Sequence, residues 1–77
     1  MSVQVKFFAS LKDKVGCDGA TVEIGEMATA ADVWLVAAGG QAMPSNTLVA
    51  INMAYVDPNH VVADGDEVAF FPPVTGG

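Results

Sequence analysis

Residues 29–40 read Thr29-Ala30-Ala31-Asp32-Val33-Trp34-Leu35-Val36-Ala37-Ala38-Gly39-Gly40, and they decide the fold class because they form the main helix pattern of the chain. Thr29 with Asp32 three residues on is a capping-box pattern, with Asp in place of the usual Glu. It also sets a negative charge near the helix N-terminus. Gly39-Gly40 is a strong stop signal. The spacing predicts a helix from Thr29 through Ala38, with Ala30, Val33, Ala37 and Gly40 as its core-facing stripe. Trp34 and Leu35 cannot both face that stripe. The run Val33 to Ala38 is apolar all round, so its excess is either extra core or a second contact surface.

On both sides of this helix the apolar period is two. Residues 2–8 alternate, with Val3, Val5 and Phe7 on one face and Gln4, Lys6 and Phe8 on the other. Residues 9–15 predict a short helical turn closed by Gly16. Strands are expected at 21–24 and 48–52, with a brief one over Ala54, Tyr55 and Val56. Asp57-Pro58-Asn59 and Asp64-Gly65-Asp66 are turns. Residues 67–71 make the last strand, with Val68 and Phe70 inward and Ala69 and Phe71 outward. One dominant helix across a mixed sheet of about five strands is a two-layer α+β domain.

Seventy-seven residues allow one small domain. With 52% hydrophobic and 16% charged residues the chain is too apolar to be disordered. Nine acids oppose three lysines, for a net charge of −6, and from Val15 onward there are eight acids and no Lys or Arg. Such a surface repels nucleic acid and attracts basic protein partners. The charge-free stretch Val33 to Val56 is 24 residues long, but Gly39, Gly40, Gln41, Pro44, Ser45, Asn46 and Asn52 interrupt it, so no membrane span is expected. The N-terminus reads as a strand and not as a secretory signal. One cysteine, Cys17, makes no disulfide framework and suits a reducing compartment. A soluble, cytoplasmic protein is expected.

Catalytic side chains are scarce. His60, beside a turn, reads as a solvated loop residue, and Cys17 has no neighbouring cation in sequence to activate it. Asp64, Asp66 and Glu67 lack the ligand spacing of a calcium loop and read as turn chemistry, so no metal site is assigned. The C-terminus is the unusual feature. Pro72-Pro73 cannot continue a central strand and turns the chain outward. Pro72, Pro73, Val74, Thr75, Gly76 and Gly77 can reach roughly 20 Å from the body. Two terminal glycines let such a tail enter a narrow channel and present its carboxylate.

The segment Phe70-Phe71-Pro72-Pro73-Val74-Thr75-Gly76-Gly77, preceded by Asp64-Gly65-Asp66-Glu67-Val68-Ala69, closely resembles the C-terminus of the molybdopterin synthase small-subunit family. Val5-Lys6-Phe7-Phe8-Ala9 is similar to that family's first strand. The resemblance implies a β-grasp, ubiquitin-like domain over residues 1–71 and an extended tail over 72–77. It implies a sulfur carrier that is not catalytic alone and binds no cofactor. Gly77 is then adenylated by an E1-like adenylyltransferase using ATP, and a sulfur donor protein supplies the sulfur of the thiocarboxylate. Gly76, Thr75, Val74, Pro73 and Pro72 carry it into the large subunit of a heterotetrameric synthase, where sulfur passes to the cyclic pyranopterin precursor. The helix departs from the family, whose members usually carry charges on its outer face. Three other readings compete: a sulfur carrier for thiazole synthesis, a ubiquitin-like protein modifier, and an interaction module with an inert tail.

In a β-grasp fold the first and last strands are neighbours. Phe8 and Phe71 should therefore lie together on the sheet face that the helix leaves open. Tyr55, on the short fourth strand, is the expected third member, and the family resemblance also implies a partner contact there. Phe8, Tyr55 and Phe71 are the expected partner contacts.

Overall fold

The structure, a computed structural model of the chain, describes residues 1–73. Seven elements follow in order: β1 (Ser2–Phe7), α1 (Ser10–Val15), β2 (Gly19–Glu23), α2 (Ala30–Ala37), β3 (Leu48–Ile51), β4 (Ala54–Val56) and β5 (Glu67–Phe71). The strands form one sheet in the order β2-β1-β5-β3-β4. β1 runs parallel to β5, and the other neighbours are antiparallel. With α2 laid across one face, this is the β-grasp arrangement.

The inward positions of the strands meet α2. Val3, Val5 and Phe7 of β1, Val49 of β3, and Val68 and Phe70 of β5 are all buried, against Ala30, Val33 and Trp34 of the helix. Trp34 is the keystone of this layer. Its ring meets Phe7 edge-on at 5.4 Å and Phe70 edge-on at 5.1 Å, while Phe7 and Phe70 stack at 5.8 Å. Each such pair contributes about 1 kcal/mol beyond its area burial. The indole N–H donates to the Gln41 carbonyl at 2.9 Å, so the large ring is buried with its polar atom satisfied.

The helix stripe therefore differs from the expected one. Ala30, Val33, Trp34 and Ala38 are buried, Ala37 is half-buried, and Gly40 is exposed. The reason is length. α2 ends at Ala37 with Ala38 as its C-cap, and Gly39 and Gly40 have already left the helix at φ 66° and 88°. Over two turns the core face follows i, i+3, i+4, i+7 and i+8, which selects Trp34 and Ala38. Leu35 and Val36 remain about half exposed.

The N-terminus of α2 is fully served. Thr29 Oγ1 accepts from Asp32 N at 3.2 Å, and Asp32 Oδ2 accepts from Thr29 N at 2.9 Å, completing the capping box. The next two helix N–H groups, of Ala30 and Ala31, donate to the His60 and Pro58 carbonyls. The Asp64-Gly65-Asp66 turn binds three segments. Asp64 Oδ1 accepts from Ser2 N, and Asp66 accepts from Ala63 N and from the Asn52 side-chain amide.

Several strand boundaries shift from their expected places, and β1 and β2 each end one residue early, at Phe7 and Glu23. β3 stops at Ile51 because Asn52 and Met53 take positive φ. β2 begins at Gly19, two residues early, because its ladder with β1 extends to the pair Lys6↔Gly19. That pairing needs a glycine, since a Cβ there would lie 2.6 Å from the Val5 carbonyl oxygen. Among the described residues no helix is long and apolar enough to cross a membrane.

Gly19→Ala should lower stability by about 2 kcal/mol, because the clash is with backbone in a paired strand and not with a movable side chain. Urea unfolding measures this as a lower midpoint at unchanged slope.

Candidate docking face and tail root

Parallel pairing places Phe7 beside Phe70, and the next residue of each strand end, Phe8 and Phe71, points to the opposite face. Their rings stack there at 4.6 Å with 7° between planes. Tyr55 reaches the same place because Ala50 pairs with Tyr55 on one side and with Ala69 on the other. Its ring lies 6.1 Å from Phe71 and is 71% exposed. The structure thus brings together the two phenylalanines singled out by alternation and Tyr55 of the short fourth strand. Phe8 is exposed and Phe71 half-buried.

Ala50 and Ala69 also face this side of the sheet, yet both are buried beneath their larger neighbours. They form the floor of a hollow of about 430 Å³, walled by Phe8, Phe71, Tyr55 and Met53, with Lys6 and Glu67 on the remaining side. Lys6 and Glu67 are ion-paired at 3.6 Å, each about half exposed, so the pair is worth less than about 1 kcal/mol. Sequence reasoning missed Met53. Its position two residues before Tyr55, in the turn that ends β3, is the signal that could have found it.

The remaining candidates separate into two groups. Pro72 is half-buried and Pro73 exposed, directly after the end of β5. Val74, Thr75, Gly76 and Gly77 lie outside the described residues. Cys17 is exposed between α1 and β2, while His60 lies beyond β4, where its carbonyl accepts from Ala30 N at the start of α2. The Asp64 and Asp66 carboxylates are occupied by the turn contacts described above. The described surface carries an apolar, aromatic face that ends at Pro72.

The ThiS family model matches residues 5–77. This chain belongs to the ThiS family. Two curated relatives match it over nearly their whole length. The molybdopterin synthase sulfur carrier subunit of Escherichia coli (strain K12) is 38% identical over 84 aligned residues, which cover 97% of this chain and 99% of the relative. The molybdopterin synthase sulfur carrier subunit of Haemophilus influenzae is 36% identical over 85 aligned residues, covering 97% and 99%. Among solved structures, SAMP1 from Haloferax volcanii superimposes with a TM-score of 0.82 at 27% identity, covering 100% of both chains. The ThiS-family sequence and the ubiquitin-like β-grasp fold therefore agree along the whole described chain.

Phe8 and Phe71 should be energetically coupled. A double-mutant cycle of Phe8→Ala and Phe71→Ala in the free domain is expected to give a coupling of about 1 kcal/mol. A value near zero would mean that the two rings do not stack in solution.

Proposed function

We propose that this chain is the sulfur-carrying subunit of a molybdopterin synthase. The observation that carries this reading is the place of Phe71, the central ring of the open aromatic face, immediately before the segment Pro72-Pro73-Val74-Thr75-Gly76-Gly77. A protein that receives the tail must also meet that face. Likeness over nearly the full chain to two curated sulfur carrier subunits supports the same reading.

The chemistry suits a chain without catalytic side chains. A carboxylate is a poor electrophile, so the Gly77 carboxylate first displaces pyrophosphate from ATP on an E1-like adenylyltransferase, giving an acyl adenylate. Sulfur at the sulfide level, supplied by a donor protein, then displaces AMP. A C–S bond replaces the C–O bond to phosphate, and the product is a thiocarboxylate that is nucleophilic through sulfur. Pro72, Pro73, Val74, Thr75 and Gly76 thread it into the large subunit of a heterotetramer, where sulfur passes to the cyclic pyranopterin precursor and water restores the carboxylate. Phe8, Tyr55 and Phe71 hold the body of the carrier against that subunit. The carrier needs no bound cofactor, and the single exposed thiol of Cys17 suits the cytoplasm.

A protein-modifier role is the second reading, favoured by the overlap with SAMP1, a small archaeal modifier protein. One experiment separates the two. The full chain is incubated with its activating enzyme, ATP and a sulfur donor, and intact mass is measured. A carrier gains about 16 Da, oxygen replaced by sulfur, and the Gly77-deleted chain gains nothing. A chain that instead forms isopeptide adducts on lysines of other proteins, with no thiocarboxylate, is a modifier. A Gly77-deleted chain that still supports molybdopterin formation contradicts the carrier reading.

A further inference from the structure

Met53 breaks a local rule on the open face. β3 and β4 are joined by the two-residue turn Asn52-Met53, with φ of 50° and 72°. Two-residue hairpins with positive φ at both positions strongly favour Asn followed by Gly, because other side chains are strained there. Asn52 has a clear role within the fold. Its backbone N–H donates to the Glu67 carbonyl at 2.8 Å, its side-chain oxygen accepts from Glu67 N at 3.0 Å, and its side-chain amide donates to Asp66. Met53 has no such internal role. It is 93% exposed, more than any other large apolar residue among the described residues, although a glycine would suit its backbone better. Positions that violate local preference without internal compensation point to function.

Met53 walls the hollow whose floor is Ala50 and Ala69. We propose that Met53 is a partner-contact residue. It closes the far end of a socket that receives an apolar side chain of the synthase large subunit. The proposal rests on the carrier reading above. The occupant follows from the placement of the tail root. Phe71 forms the near wall of the socket and Pro72 follows it, so the protein that takes up the tail lies over the mouth of the hollow. Two paired alanines between aromatic walls leave depth for a side chain. An unbranched thioether fits whatever shape enters, which is why methionine is enriched at such interfaces.

The test uses effects of opposite sign. Met53→Gly in the full chain relieves the turn and removes the wall. Its melting temperature should rise by roughly 3 °C. Its affinity for the purified large subunit, measured by calorimetry, should fall about tenfold. Met53→Leu restores an apolar wall and should bind within about threefold of the native chain. Phe71→Ala, measured alongside, tests the underlying reading and should cost tenfold or more in affinity. If Phe71→Ala weakens binding while Met53→Gly binds like the native chain, the socket is wrong and the docking face stands. If Phe71→Ala also leaves affinity unchanged, the docking face itself is wrong. A melting temperature lowered by Met53→Gly would overturn the claim that the turn is strained for the sake of the contact.

Discussion

Parallel pairing of the first strand with the last organises both faces of this molecule. β1 and β5 lie side by side in the middle of the sheet, so nearly the whole chain must be closed into a loop before Gln4↔Glu67 and Phe7↔Phe70 can pair. That closure costs entropy, and the aromatic cluster offsets it. Each strand end carries two consecutive phenylalanines. Pairing in register with alternating faces sends Phe7 and Phe70 inward to Trp34, and Phe8 and Phe71 outward to stack on each other. One interaction thus sets the core and the open aromatic face together. It also fixes the place where the tail leaves the domain.

A domain this small has little core to spare, since it buries only about 60–65% of its unfolded surface. It concentrates cohesion in Phe7, Trp34 and Phe70, and secures the helix start with a reciprocal cap and two loop carbonyls. Against that background, leaving Tyr55 and Met53 largely in water is a deliberate departure from what stability alone would select. The same holds for a methionine in a glycine-type turn. Tyr55 and Met53 lie together on the sheet face opposite α2, next to Phe71, whereas Met27, also at positive φ and exposed, stands apart in the loop before α2.

Much of this was legible in the sequence, for identifiable reasons. Period-two alternation in residues 2–8 and 67–71 separated inward from outward phenylalanines. Thr29 and Asp32 marked the helix start with its cap. Asp64 and Asp66 read as turn residues and serve as such. Trp34 was ambiguous because a helix apolar on all sides hides its core stripe, and only the sheet it packs against selects one face. Gly19 falls outside the strand expected at 21–24 because its requirement, close approach of the Val5 carbonyl, exists only after β1 and β2 pair. Met53 stands in a turn two residues before Tyr55, which the sequence does show, but the rest of its role is not local. Neither its positive φ nor its position over Ala50 and Ala69 is visible until the hairpin closes.

The claim at the centre of this account is that the sheet face bearing Phe8 and Phe71, and not the outer face of the helix, is the surface that meets the partner. Side-chain NMR of the full chain, titrated with the synthase large subunit, reads this directly. The aromatic signals of Phe8, Tyr55 and Phe71 and the methyl signals of Ala50, Met53 and Ala69 are expected to shift on binding, while those of Leu35 and Val36 stay in place. Shifts confined to Leu35 and Val36, with the aromatic signals unchanged, would contradict it.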